Sequence, residues 1–166
     1  LQAGGGRLDP DAVRRARAVL DRTGERMTLG AEHTVVALVG ATGSGKSSLF
    51  NALAGMDISE VGARRPTTNQ PSACVWGTSG ADPLLDWLQI AASHRTVRES
   101  ILDADRQQRL HGLVLIDLPD HDSRDVTHRL QVDRLVDLVD LLVWVVDPQK
   151  YADEALHSGY LRKLVG

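Results

Sequence analysis

The chain has 166 residues, with 42% hydrophobic and 25% charged, which suits one globular domain and excludes disorder as the dominant state. A net charge of -3 excludes a general nucleic-acid coat, so no DNA is predicted as a partner. Apolar runs are short, as in Leu141 to Val146, so no transmembrane segment is predicted, and a single cysteine, Cys74, excludes a disulfide framework and a cysteine-based zinc site.

A reducing, cytoplasmic setting follows, with any peripheral membrane attachment supplied by parts outside this chain. The first residue is Leu1 and not Met, which reads as an excised piece. Sixteen Arg stand against three Lys, so each lysine stands out, above all Lys46.

Residues 1–9 form a flexible leader with three consecutive glycines. Asp9-Pro10 signals a helix start, and Val13, Ala16, Leu20 and Met27 predict an amphipathic helix over 10–28, within a flanking unit at 10–33. The apolar run 34–39 is a buried parallel strand, and 46–53 is a helix stopped by Gly55. Residues 56–71 form an extended loop, 72–76 a short strand and 83–93 a helix. Residues 94–111 are polar and read as helix plus loop. A second buried strand at 113–117 precedes a helix over 123–138, capped by Ser123 and contacting the core through Leu130, Leu135 and Leu138. A third strand at 141–146, with Trp144 in the sheet core, and a helix at 151–165 complete the chain. Apolar strands alternating with helices indicate an α/β layered fold. Cys74 reads as a small core residue.

Gly40-Ala41-Thr42-Gly43-Ser44-Gly45-Lys46-Ser47 fits the phosphate-loop pattern at every required position, between a strand and a helix. Its glycines let backbone N–H groups turn inward, and the helix N-terminus adds a favourable field for anionic phosphates. Lys46 is the candidate for the β- and γ-phosphates, Ser47 for Mg²⁺, with Ser48 beside it. Asp117, ending the strand 113–117, is the candidate second metal residue. Together these predict a nucleoside triphosphate hydrolase or kinase. A His-Asp metal phosphohydrolase built on Asp117, Asp120, His121, Asp122 and Asp125 is disfavoured, because the other histidines supply no matching pair.

The stretch 46–55 resembles the first helix of translation-factor-class GTPases, in particular the Era-like and bacterial dynamin-like branch. Arg65-Pro66-Thr67-Thr68 resembles the switch I threonine motif, and Asp117-Leu118-Pro119-Asp120 resembles the switch II motif Asp-x-x-Gly. The resemblance covers about 34–150. It implies a three-layer phosphate-loop fold with a mostly parallel sheet over 34–166, GTP as substrate and Mg²⁺ as cofactor. It also implies that Thr68, with Thr67 next, completes the Mg²⁺ shell and senses the γ-phosphate. Asp120 departs from the pattern. The family glycine offers its N–H to the γ-phosphate, whereas an Asp carboxylate turned inward would repel it. His121 follows, where relatives orient the attacking water with Gln or His, so the resemblance assigns it that role. Members of this family continue with a strand carrying Asn-Lys-x-Asp, which this chain lacks, so the domain reads as truncated before guanine recognition.

Alternatives of other kinds are an ATPase of the same fold and a nucleotide-dependent assembly or scaffold protein with negligible turnover. Dynamin-like relatives imply homodimerisation through the nucleotide face. The insertion between Trp76 and Leu113 places Trp87 among Leu84, Leu85, Leu88 and Ile90, either as packing onto its own sheet or as a partner surface.

Overall fold

A computed structural model of the protein describes residues 9–59, 70–77, 80–98, 109–120 and 126–147. The predicted leader at 1–8, most of the loop expected at 56–71, and the final helix at 151–165 lie outside the described residues.

Five strands form one sheet: β1 (Thr34–Val39), β2 (Ser72–Trp76), β3 (Arg95–Arg98), β4 (Leu113–Asp117) and β5 (Leu141–Trp144), in the order β3-β2-β4-β1-β5. β1 is parallel to β4 on one side and to β5 on the other, with Leu38 opposite Asp117 and Val39 opposite Trp144. The β2–β4 pair is antiparallel, and β3 joins β2 in parallel. Central strands read as continuous apolar runs because both faces are covered. Val35, Ala37, Val39, Val114 and Ile116 face the layer containing α3 (Ala81–Trp87) and α4 (Val126–Val136). Leu38, Cys74 and Leu115 face α2 (Lys46–Ala54), where Phe50 and Ala54 fill the gap. Three layers and a mostly parallel sheet match the fold expected from sequence.

Helix α1 (Pro10–Gly30) starts as expected, with Asp9 accepting a 3.0 Å hydrogen bond from the Asp11 N–H. Gly24 does not interrupt it. The predicted apolar face, however, is not a buried face. Leu20 and Met27 are 57% and 64% exposed, and Gly30 alone in the helix is buried. Polar contacts hold its C-terminal end instead. Arg26 donates to the carbonyls of Gly30 (2.8 Å) and His33 (2.7 Å) and pairs with Asp140 at 2.7 Å. Trp87 Nε1 donates to Glu25 at 3.2 Å.

The insertion differs from expectation in two ways. Helix α3 ends at Trp87 and not at 93, because Gln89 takes a left-handed backbone with φ 60° and Ile90 N–H turns back to the Leu85 carbonyl at 3.0 Å. That reversal drops Leu88 and Ile90 into the core beside Leu84 and Leu85. Each such side chain contributes roughly 2 kcal/mol of burial. These residues therefore cover the protein's own sheet, leaving Trp87 half-buried against it. Second, part of the polar stretch expected as helix plus loop is the edge strand β3, preceded by a short 3₁₀ turn at Ala92–His94. Charged and polar side chains suit a solvated edge. Arg95 folds back to the Ile90 carbonyl at 2.9 Å and pairs with Asp82 and Asp86.

In α4, Val132 and Leu135 are buried, whereas Leu130, expected in the core, faces solvent. The expected cap Ser123 lies outside the described residues. β5 ends at Trp144, two residues earlier than predicted, and Trp144 packs half-buried against the core. Cys74 is fully buried, as expected, and its thiol is pushed up to about 11, chiefly by desolvation and against the nearby Arg98 charge.

Candidate phosphate and metal site

The carboxyl ends of β1 and β4 lie side by side, so the loop after Val39 meets the turn after Asp117. Gly40 opens the loop. A Cβ there would lie 2.3 Å from the Val145 carbonyl oxygen and 2.7 Å from Ser44 Oγ, so only glycine lets the chain pass. Gly45 closes it with φ 94°, a conformation that reverses the chain into α2. Ser44 N–H returns to the Ala41 carbonyl at 3.1 Å.

Lys46, the first residue of α2, is only 4% exposed and points back under the loop. Its ammonium donates to the carbonyls of Gly40 (3.0 Å) and Ala41 (3.3 Å) and to Asp120 Oδ1 at 2.5 Å. Ser47 Oγ donates to Asp117 Oδ2 at 2.7 Å. Asp117 is completely buried, and desolvation holds its carboxyl above the usual carboxylate range. The Ser47 hydrogen bond, the nearby Ser59 hydroxyl and the Lys46 charge oppose that rise, while Asp120 adds to it.

Six buried side-chain polar atoms lack a hydrogen-bond partner among the described residues, and four are oxygens of this site: Asp117 Oδ1, Asp120 Oδ2, Ser44 Oγ and Ser59 Oγ. Buried polar atoms left unpaired are uncommon and call for an explanation. Hard oxygen donors suit Mg²⁺, which takes one or two protein ligands and keeps much of its water. The free Asp117 oxygen beside the Ser47 hydroxyl therefore fits that ion. No group of three His, Cys, Asp or Glu forms a metal cage among the described residues.

Of the sequence candidates, Gly40, Ala41, Thr42, Gly43, Ser44, Gly45, Lys46, Ser47 and Asp117 come together here. Ser48 sits exposed on the first turn of α2. Thr67, Thr68 and His121 lie outside the described residues. Two residues escaped the sequence reading. Asn51, buried on α2, accepts from the N–H groups of Ile58 (3.0 Å) and Ser59 (2.8 Å) and donates to the Ser59 carbonyl at 2.8 Å. It thereby fixes Ser59 next to Asp117. The available signal was an asparagine inside a helix, a position it disfavours unless its amide is used elsewhere.

Fold and loop together define a phosphate-loop nucleoside triphosphate-binding domain. The chain belongs to a GTPase family, the one described as 50S ribosome-binding GTPase, whose family model matches residues 35–164. Two chains from solved structures of an oligomerised bacterial dynamin pair, described as a mechanism for long-range sensing and tethering of membranes, are similar to it. One is 17% identical over 89% of this chain, with a TM-score of 0.46, and the other 18% identical over 95%, with a TM-score of 0.45. This chain spans 28% and 34% of their respective lengths. No curated protein sequence matches it. No helix among the described residues is long and apolar enough to cross a membrane.

Proposed function

We propose that this domain binds GTP with Mg²⁺ and hydrolyses it as a conformational switch of the dynamin-like or Era-like kind. The observation carrying this reading is the convergence of Lys46, Ser47 and Asp117 at the adjoining ends of β1 and β4, with Asp117 Oδ1 buried and unpaired. Ser47 and Asp117 would hold the ion, Asp117 directly or through water. Bound Mg²⁺ supplies charge neutralisation on the β- and γ-phosphates. Loop N–H groups and Lys46 orient the phosphates and stabilise charge developing as water attacks in line. Thr68, or Thr67 beside it, would complete the metal shell and release residues 58–71 when the γ-phosphate leaves. His121 would position the water. Pairing of two domains across the nucleotide face is the matching mode of assembly, in a cytoplasmic or membrane-peripheral protein.

The test is Mg²⁺-dependent GTP turnover, with ATP and GTP competing for a fluorescent GTP analogue. GTP should displace the analogue far better than ATP, and chelation of Mg²⁺ should abolish turnover. Equal displacement by both nucleotides would move the assignment to an ATPase of the same fold. A second reading, a nucleotide-dependent scaffold with negligible turnover, draws support from the Asp120 carboxylate on Lys46. Single-turnover hydrolysis that stays slow at high protein concentration would favour it.

A further inference from the structure

All three N–H donors of the Lys46 ammonium are engaged within the chain. Two go to the Gly40 and Ala41 carbonyls, which belong to the loop backbone, and the third goes to Asp120 Oδ1 at 2.5 Å. Both side chains of the ion pair are nearly dry, at 4% and 8% exposure. A phosphate reaching Lys46 therefore finds no vacant donor, and it meets a buried carboxylate of its own charge sign. Carboxylate and phosphate cannot share one ammonium in a low-dielectric site without strong repulsion. Of the three acceptors, Asp120 alone sits on a side chain that can swing away. Its second oxygen, Oδ2, is buried with no partner among the described residues, so moving outward restores hydration to it.

We propose that Asp120 is an internal stand-in for phosphate, whose carboxylate occupies Lys46 in the nucleotide-free protein and must be expelled for a triphosphate to bind. This inference rests on the phosphate-loop reading above and adds a determinant of affinity to it. The closed pair is a competitor at an effectively fixed concentration, so apparent affinity falls in proportion to the fraction of molecules with Lys46 released. An exchange of anions also ties phosphate arrival to a displacement at residue 120, only three positions beyond Asp117.

The experiment measures the dissociation constants of a fluorescent GTP analogue and of inorganic tripolyphosphate. Wild type, Asp120→Asn, Asp120→Gly and Lys46→Ala are compared, with the nucleotide-free melting temperature recorded for each. Both Asp120 variants should bind both probes at least about tenfold more tightly, the gain expected if nine molecules in ten hold the pair closed. Asp120→Asn should also melt lower without nucleotide, since removing one partner leaves a buried charge poorly compensated. Tighter binding with a less stable empty state is a combination that a merely structural residue does not produce. Unchanged or weaker binding in both folded variants overturns the proposal. Should one variant fail to fold, the other decides. The rate of Lys46 acetylation by an N-hydroxysuccinimide ester, read by mass spectrometry, is a nucleotide-independent check. It should rise in the Asp120 variants, and an equal rate overturns the pair. If Lys46→Ala binds both probes as well as wild type, the phosphate-loop reading itself fails, an outcome separate from any effect at Asp120.

Discussion

Each end of strand β1 carries a cation paired with an aspartate, and the two pairs are built differently. At the amino end, Arg26 spreads over two carbonyls and Asp140, while Asp140 also accepts from Val35 N–H at 2.7 Å. Both carbonyl oxygens and one carboxylate oxygen are used, the Asp140 side chain remains 41% exposed, in reach of water, and the buried atoms left unpaired here among the described residues are nitrogens, Arg26 Nε and His33 Nδ1. At the carboxyl end, Lys46 and Asp120 are sealed from solvent, and buried oxygens of Asp117, Asp120, Ser44 and Ser59 have no partner among the described residues. One end ties α1 to the sheet. The other gathers unpaired oxygens around a buried lysine, an arrangement that costs stability unless those oxygens find partners.

That contrast can be broken by mutation. The largest effect is expected from Lys46→Ala, which should weaken binding of a GTP analogue by roughly 100-fold in equilibrium titration, the loss of a charge-assisted phosphate contact. Next comes Arg26→Ala. It should lower stability by about 2 kcal/mol in urea titration and speed amide exchange along 10–30, leaving nucleotide affinity within twofold. Equal damage to affinity from both substitutions would erase the distinction between the two ends.

Asp117→Asn sharpens it further. Burial raises the folded pKa of Asp117 above its unfolded value of 3.8. The proton is therefore bound more tightly in the fold, and the associated stability, complete below pH 3.8, is lost as pH rises through the folded value. Ionising this buried carboxylate is therefore a burden on the fold. The asparagine variant should melt higher by roughly 3 °C, for about 1 kcal/mol removed. The gap should narrow on acidification toward pH 4, and Mg²⁺ should no longer tighten nucleotide binding. A lower melting temperature at neutral pH would contradict the sign. The smallest change is at Cys74, whose thiol pKa of about 11 keeps it neutral and buried. A thiol reagent at pH 8 should label it only under unfolding conditions, with or without nucleotide.

Much of this was legible in the residue order. The phosphate loop needs particular residue types at particular spacings, because glycine conformations, a lysine reach and a hydroxyl are chemical requirements. Strand β1 and strand β4 announced themselves as continuous apolar runs, and Asp117 as the polar residue ending the second. The first helix misled because periodic apolar residues mark a face without saying what covers it. Leu20 and Met27 remain exposed, and Arg26, which secures the helix, carries no such pattern. Edge strand β3 was hidden because polar, solvated strands lack an apolar run, and pairing with β2 supplies what composition does not.

What the sequence by itself determined is the set of groups at the ends of β1 and β4: a glycine-rich loop, a lysine, a hydroxyl and an aspartate. Only the tertiary structure decided how those groups stand toward one another. Asp120 could be recognised as out of place in its motif, yet its side-chain direction depends on the parallel register of β1 with β4, which brings residues 46 and 120 together across 74 positions of chain. Local sequence encodes spacing, but burial and the pairing of distant charges arise only when the strands close against each other.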